Sequence, residues 1–371
     1  MGKINVTKSS MPPFEEYVEA LKPVWESRWL SNRGEASLQF EQDLKQYLGC
    51  DNIWLFANGH LALEVALLAF EFGNTFPEGV KPEVITTAYT HVSTTEAIVR
   101  NQLEPVFVDV EPNFLTMDPA KIEEKITERT VAIVATHVYG FMCDVEAIQK
   151  IADQYHLKVI YDAAHAFGVT YKGKSPAVFG DAVMFSTHAT KVFHTIEGGI
   201  LTYKENEKLN HIEDLVNFGY VSQEDVAYIG LNARMNEFEA VMGICNLRHF
   251  DGELEKRRKI VELYNQRLDG IDGIRILKPS NDIEWNYAYY PVLFEGYKED
   301  RNQIQKKLEK EDIYARKYFY PITTQVTAFK KQYGNIDLPI SLYASNCVLS
   351  LPLYPDLSFE DVNRICDIIL R

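Results

Sequence analysis

The chain has 371 residues, of which 46% are hydrophobic and 25% are charged. This composition excludes a disordered or fibrous protein and allows a large buried core. The formal net charge of -15 argues against a nucleic-acid partner, because phosphate backbones attract basic surfaces.

The cysteines are five in number and far apart in the chain, at Cys50, Cys143, Cys245, Cys347 and Cys366. They form no CxxC pair, so neither a disulfide framework nor a zinc knuckle is expected. The first residues lack an apolar signal segment, and no stretch reaches the length of a bilayer span. We therefore expect a soluble, cytoplasmic protein.

The N-terminal segment predicts two helices separated by a turn. The first starts at the proline pair Pro12-Pro13 and ends near Leu30. The turn-forming residues 31–34 follow. Apolar residues at helical spacing between Leu38 and Leu48 then predict the second helix.

Short β-branched runs alternate with helical patterns over residues 52–202. The predicted strands are 53–57, 84–87, 105–110, 131–137, 158–162, 182–186 and 199–203, and the predicted helices between them include 61–72, 92–101 and 145–155. Such alternation is typical of an α/β fold with a mostly parallel sheet between helices. Ligands of these sheets bind outside the carboxyl ends of the strands, so residues that follow strands are the functional candidates.

A long helix is predicted from Glu237 to about Leu268, and we place a domain transition on it near residue 246. The large domain is then 1–245 and the small domain 246–371. The small domain is predicted to be α+β, with strands at 274–277, 288–294 and 348–353 and helices at 301–311 and 359–370.

Three candidate groups follow the predicted strands. Asn58-Gly59-His60 leads from the first strand into a helix, and backbone amides at such a turn suit a phosphate. His91 places a ring after the second strand, where it could stack on a planar cofactor or simply pack. Asp162 could be a metal ligand, a general base, the partner of a protonated ring nitrogen, or a helix cap. A metal site would need further ligands at suitable spacing, and His137, His188 and His194 form no recognised pattern, so no metal site is expected.

Lys191 lies among Thr190, Val192 and Phe193, just after a buried strand. Poor solvation disfavours the charged amine and lowers a lysine's pKa. A neutral amine is a nucleophile able to condense with a carbonyl group. The alternative is an ordinary surface lysine on a loop.

Taken in chain order, these features resemble one known group of enzymes. The motifs are Trp29–Asn32, Asp162–His165, Ser186–Lys191, Glu197–Gly199, Gly230–Met235, Arg316–Pro321 and Leu349–Pro352. They resemble the fold-type-I pyridoxal phosphate enzymes, and more narrowly the DegT family of sugar-nucleotide aminotransferases. The resemblance spans nearly the whole chain, and it implies a seven-stranded, mostly parallel sheet with a smaller C-terminal α+β domain.

The resemblance implies the catalytic roles. Lys191 would form the Schiff base with pyridoxal 5'-phosphate and move the proton between substrate and cofactor. Asp162 would pair with the pyridinium nitrogen and keep it protonated. His165 matches a position near the cofactor's 3-hydroxyl, and His91 matches the aromatic residue that stacks on the cofactor ring.

The resemblance also implies how the phosphate is held. Ser186 and the amides of Asn58, Gly59 and His60 would bind it, and Asn232 would reach it from a neighbouring subunit of a homodimer. The family commonly has Thr where this chain has His60, so a hydroxyl donor to the phosphate is missing.

Five residues are candidates for substrate binding: Asn32, Arg33, His188, Arg316 and Tyr318. The two arginines would supply positive charge for a diphosphate, with Tyr318 bonded to a phosphate oxygen. The alternative interpretation is that these three residues lie in polar surface loops without a role in binding. The family's Asn-x-Gly-Pro motif appears here as Asn32-Arg33-Gly34-Glu35, a departure that affects the sugar contacts of this segment.

Within the family, the segment His188–Phe193 is similar to enzymes that aminate C4 of a dTDP-4-keto-6-deoxyhexose. The implied reaction moves an amine from L-glutamate to dTDP-4-keto-6-deoxyglucose. Relatives that aminate C3 tend to carry Pro-Gly-Lys-Asn-Leu-Gly around the lysine, which this chain lacks. Dehydratase relatives place a histidine at the position of Lys191, and a non-catalytic sugar-nucleotide sensor would be expected to have lost Lys191 or Asp162.

Overall fold

A computed structural model describes residues 2–371. The strands are β1 Ile4–Asn5, β2 Asn52–Phe56, β3 Glu83–Thr87, β4 Glu104–Val108, β5 Thr130–Thr136, β6 Lys158–Asp162, β7 Thr170–Tyr171, β8 Ala182–Ser186, β9 Gly199–Tyr203, β10 Ile274–Ile276, β11 Ile283–Glu284, β12 Tyr290–Phe294, β13 Ile313–Tyr314 and β14 Val348–Leu351. The α-helices are α1 Phe14–Ser27, α2 Glu35–Leu48, α3 Gly59–Ala69, α4 Val92–Arg100, α5 Val145–Tyr155, α6 Ile212–Val216, α7 Glu237–Leu268, α8 Arg301–Glu309, α9 Thr327–Tyr333, α10 Pro339–Cys347 and α11 Phe359–Leu370.

The central sheet has seven strands in the order β2-β9-β8-β6-β5-β3-β4. Strand β9 is antiparallel to both of its neighbours, and β8, β6, β5, β3 and β4 pair in parallel. The predicted α/β class and mostly parallel sheet are confirmed. Both faces are buried, since Ile53 and Leu55 join one apolar core while Trp54 and Phe56 join the other.

Helix α7 has the predicted bounds. It begins at a capping box in which Asn236 and Glu239 each accept a hydrogen bond from the other's backbone amide. Its N-terminal half packs on α1 and α2, and Arg267 near its end forms an ion pair with Asp367 of α11. The division of the chain at residues 245 and 246 stays a prediction.

The C-terminal part contains the three-stranded antiparallel sheet β10-β12-β14, in agreement with the predicted α+β character. Strand β14 ends at Leu351, earlier than predicted, because Pro352 has no N–H to donate to a ladder. Helices α9 and α10, which are short, were not predicted. None of the helices in residues 2–371 is long and apolar enough to cross a membrane.

The topology brings several strand ends to one edge of the sheet. Strands β5, β6 and β8 are parallel neighbours and end at Thr136, Asp162 and Ser186. Strand β2 runs in the same direction, because it and β8 are both antiparallel to β9. The turn from β2 into α3 therefore lies at the same edge, where the site was predicted.

Candidate active site

A cavity of about 370 Å³ opens at the carboxyl edge of the sheet. Its lining contains most of the predicted site residues: Asn58, Gly59, His60, His91, Asp162, His165, Ser186, His188, Lys191 and Tyr318. It also contains residues that were not predicted to belong to the site, among them Thr90, Ser93, Thr136, Glu197, Tyr289 and Phe319. The chain thus brings the predicted lysine and aspartate to one cavity.

Lys191 is partly buried in the loop that follows β8, and its backbone amide donates to the carbonyl of His188 at 2.9 Å. Burial lowers the pKa of the Lys191 amine, against the opposing attraction of Asp162 and Tyr318. The direction of this pKa change agrees with the sequence argument. The amine is thereby made a better nucleophile at neutral pH.

Asp162 is buried at the end of β6, and both of its carboxylate oxygens accept hydrogen bonds. The hydroxyl of Thr94 donates to Oδ2 at 2.6 Å, and the amide of Ala164 donates to Oδ1 at 3.0 Å. Two donors from different parts of the chain fix the orientation of the carboxylate. Such a group suits the partner of a protonated ring nitrogen.

Three threonines form a series of hydroxyl contacts that ends at this carboxylate. Thr136 donates to the hydroxyl of Thr90 at 3.1 Å, and Thr90 lies 3.2 Å from the hydroxyl of Thr94. All three are buried. Thr94 was not predicted as a site residue, although its position in the first turn of the helix that follows His91 could have indicated one.

Two of the cavity histidines, His165 and His91, differ in their surroundings. The buried ring of His165 accepts a hydrogen bond at Nδ1 from the amide of Tyr139 at 3.0 Å, and burial holds the pKa of His165 well below its usual value. It is therefore a neutral ring whose proton is on Nε2. His91 instead caps α4, with its Nδ1 accepting from the amide of Ser93, and burial followed by the charge of Lys191 lowers its pKa.

The N-terminus of α3 also lines the cavity. Asn58 caps the helix by accepting from the amide of Leu61 at 2.9 Å, which leaves the amides of Gly59 and His60 as helix-end donors. Gly59 is in close contact with Ser186, since a methyl group at Gly59 would lie 3.0 Å from the Ser186 Cβ. A helix end beside a serine hydroxyl is suited to a phosphate.

Four predicted site residues lie outside this cavity. Arg316 is exposed and pairs through its backbone with Ser350. Asn32, Arg33 and Asn232 lie beside β2 at the edge of the central sheet. Together with Asn217 and Arg234 they form a group of polar residues that we call the edge cluster. Their predicted contacts with substrate or cofactor stay predictions.

The edge cluster is held by local contacts. Arg33 donates to the carboxylate of Glu41 at 2.8 Å and lies over the ring of Trp54. Arg234 donates to the side chain of Asn232 at 3.1 Å. The positive charge of Arg33 is therefore already paired within the chain.

Gly34, in the turn before α2, explains part of the motif in that segment. Its amide donates to the Glu237 carboxylate at 3.0 Å, and a Cβ at this position would lie 2.7 Å from the same carboxylate. The turn thus docks on the start of α7, and a side chain at position 34 would displace the Glu237 carboxylate from this contact.

The cavity residues fit pyridoxal phosphate. A poorly solvated amine, a doubly hydrogen-bonded carboxylate and a helix N-terminus face one space, and these match the carbonyl, ring nitrogen and phosphate of that cofactor. Within residues 2–371, no cluster of His, Cys, Asp and Glu could hold a metal ion. Fold and cavity together define a pyridoxal-phosphate-dependent enzyme of fold type I.

The chain belongs to the DegT/DnrJ/EryC1/StrS aminotransferase family, which matches residues 14–370. It is 39% identical over 367 residues to a dTDP-4-amino-4,6-dideoxy-D-glucose transaminase of Shigella dysenteriae, covering 99% of this chain and 98% of the relative. It is 32% identical over 358 residues to a dTDP-3-amino-3,6-dideoxy-alpha-D-galactopyranose transaminase of Aneurinibacillus thermoaerophilus, covering 96% and 95%.

Solved structures agree with this assignment. The crystal structure of DesI in the presence of its TDP-sugar product superposes with a TM-score of 0.92 at 27% identity, covering 99% of this chain and 92% of that one. The protein is therefore a pyridoxal-phosphate-dependent sugar aminotransferase.

Proposed function

We propose that the protein transfers the amino group of L-glutamate to C4 of dTDP-4-keto-6-deoxyglucose, giving dTDP-4-amino-4,6-dideoxyglucose. The similarity to the Shigella transaminase of that name, which extends over 99% of the chain, is the observation that carries this proposal. The segment His188–Phe193 next to the amine supports C4 as the position. The product would serve O-antigen and lipopolysaccharide synthesis in the cytoplasm.

The cavity residues divide the work of the reaction. When bound, the cofactor supplies an electron sink for the carbanion that forms at the substrate carbon. Lys191 holds and moves the proton at that carbon, for which a lowered amine pKa is suited. Asp162, fixed by Thr94, stabilises a proton on the ring nitrogen.

Other residues position the groups that do not react. Asn58, Gly59, His60 and Ser186 would hold the phosphate at the start of α3. The neutral His165 would donate from Nε2 to the cofactor's 3-hydroxyl, and His91 would cover the ring.

For the sugar nucleotide, His188 and Tyr318 line the cavity and are proposed to contact the sugar and a phosphate oxygen. Asn32, Arg33 and Arg316 lie outside the cavity of their own chain and are proposed to contact the diphosphate. The Nε2 of His188 lies 3.4 Å from Glu197, which holds the imidazole at the cavity wall.

We also propose a homodimer with shared sites. Several large apolar side chains are exposed, including Trp25 at 73%, Trp29 at 58% and Ile229 at 92%. Exposed apolar groups of this size are typical of interaction surfaces. Asn232 lies only three residues after Ile229, so a partner that covers Ile229 would lie close to Asn232, which we propose reaches the cofactor phosphate of that partner.

The test is an assay of purified protein with L-glutamate and dTDP-4-keto-6-deoxyglucose, with the product's nitrogen position determined by NMR. Nitrogen at C4 supports the proposal. Nitrogen at C3 would place the protein with the Aneurinibacillus relative instead. Binding of the sugar nucleotide without any amino product would favour a non-catalytic sensor.

A further inference from the structure

Two buried tyrosines beside the cofactor cavity have no part in the roles above. Tyr89 lies just after β3, and Tyr139 lies in the turn after β5, the parallel neighbour of β3. Their hydroxyls are 2.7 Å apart. The Tyr139 hydroxyl donates to the backbone carbonyl of Tyr318, and the Tyr89 hydroxyl lies 3.3 Å from the same oxygen. Two strand ends of the central sheet thus contact the segment that carries Tyr318.

Tyr139 is held at its backbone as well as at its ring. Its amide donates to Nδ1 of His165 at 3.0 Å, and its carbonyl accepts from the indole of Trp285 at 2.9 Å. The side chain is 0% exposed. Because a closely packed interior leaves such a ring one position, the hydroxyl of Tyr139 fixes the place of the carbonyl that it bonds.

The two hydroxyls form an ordered series of hydrogen bonds. Each hydroxyl has one proton to donate. The Tyr139 proton points to the Tyr318 carbonyl, so the Tyr89 proton points to the Tyr139 oxygen, with that carbonyl as a second acceptor. Burial raises the pKa of both tyrosines, so both keep their protons at neutral pH. Successive hydrogen bonds of this kind strengthen one another.

The Tyr318 carbonyl belongs to one wall of the cavity. Tyr318 and Phe319 both line the cavity, and the Phe319 ring lies 5.8 Å from the ring of His165 with 8° between their planes. The carbonyl has no third donor among residues 2–371. Without either hydroxyl it would turn toward water, because an unpaired polar group beside apolar rings is costly. The side chains of Tyr318 and Phe319 would move with it.

We propose that Tyr89 and Tyr139 are positioning residues for substrate binding, whose hydroxyls hold the Tyr318–Phe319 segment in the orientation that meets the sugar nucleotide. The inference rests on the proposed contact between Tyr318 and the substrate. The two hydroxyls substitute for each other, because either can donate to the carbonyl when the other is absent.

The test uses tyrosine-to-phenylalanine variants, which remove only a hydroxyl. With L-glutamate and dTDP-4-keto-6-deoxyglucose, the KM for the sugar nucleotide should rise only about twofold to threefold in Tyr89→Phe or Tyr139→Phe. In the double variant it should rise about tenfold to a hundredfold, because the binding-competent orientation is less populated. The kcat should stay close to the wild-type value, since bound substrate restores the orientation.

Tyr264→Phe is the matched control. Tyr264 is also fully buried, and its hydroxyl donates to the backbone carbonyl of Pro352 at 3.0 Å, but it does not line the cavity. This variant should lower the Tm and keep the wild-type KM. An unchanged KM in the double variant, or an equal rise in Tyr264→Phe, would overturn the inference. So would a rise in the double variant no larger than the product of the two single rises.

Hydrogen exchange separates this inference from the choice of substrate. The amides of residues 316–322 should exchange faster in the Tyr89→Phe/Tyr139→Phe protein than in the wild type or in Tyr264→Phe, because the segment has lost its anchor. Unchanged exchange in that segment would overturn the inference. If the wild type forms no amino sugar, the proposed function fails, and the exchange measurement alone decides the role of the two tyrosines.

Discussion

The cofactor cavity and the edge cluster lie on the same sheet, but they differ in how complete they are. In the cavity, Asp162 and His165 have hydrogen-bond partners within the chain and face the Lys191 amine. The edge cluster lies beside exposed apolar groups such as Trp29 and Phe218. One chain thus brings together the residues proposed for the cofactor chemistry, whereas the edge cluster is proposed to act against a second copy.

The largest expected effect is on the cavity itself. Lys191→Ala should lower turnover by roughly 10²–10⁴-fold or more, since it removes the acid-base group. The absorption band of the bound cofactor near the visible edge should disappear with it. Lys172→Ala is the control, because Lys172 is an exposed lysine paired with Glu146. A Lys191→Ala protein that keeps both the band and turnover would contradict the account.

Subunit mixing tests whether the edge cluster completes a neighbour's site. Asn232→Ala should weaken cofactor retention and lower activity. If the sites are shared, unfolding and refolding it together with Lys191→Ala should restore about a quarter of wild-type activity, because half of the dimers are mixed and each holds one intact site. Activity that never exceeds the sum of the separate variants would show that Asn232 serves its own chain.

A smaller effect is expected when the hydrogen bond from Thr94 to Asp162 is removed. Thr94→Val keeps the shape of the side chain and removes the donor to Oδ2, so kcat should fall about tenfold, the value of one hydrogen bond to a charged group. Thr95→Val is a matched control on the same helix, since Thr95 is buried and its hydroxyl has no partner among residues 2–371. Equal losses in the two variants would mean that only packing was disturbed.

The smallest effect concerns the amine's pH dependence. Because burial lowers the pKa of Lys191, its neutral form should persist to lower pH than in an ordinary lysine. The pKa of Lys172 is raised by its hydrogen bond to Glu146, so the neutral form of Lys172 should appear only at higher pH. Acetylation of the apoprotein across pH, quantified by mass spectrometry, should therefore label Lys191 first; the opposite order would contradict the assigned environment.

The large sheet could be predicted from sequence because its strands are buried on both faces and read as continuous apolar runs. The bounds of β6, β8, β9 and α7 were predicted as they are found. The contact between Thr94 and Asp162 could not be, because it joins residues 68 positions apart through the packing of α4 on the sheet. The proposed contact of Asn232 could likewise not be located within one chain, since its proposed partner belongs to another copy.

The central claim is that Lys191 is the residue that holds the cofactor. Reduction of the holoenzyme with borohydride, followed by proteolysis and mass spectrometry, locates the pyridoxyl group on the chain directly. The account predicts a single modified peptide carrying the group on Lys191. Modification of a different lysine, or a reduced protein without any pyridoxyl group, would contradict it.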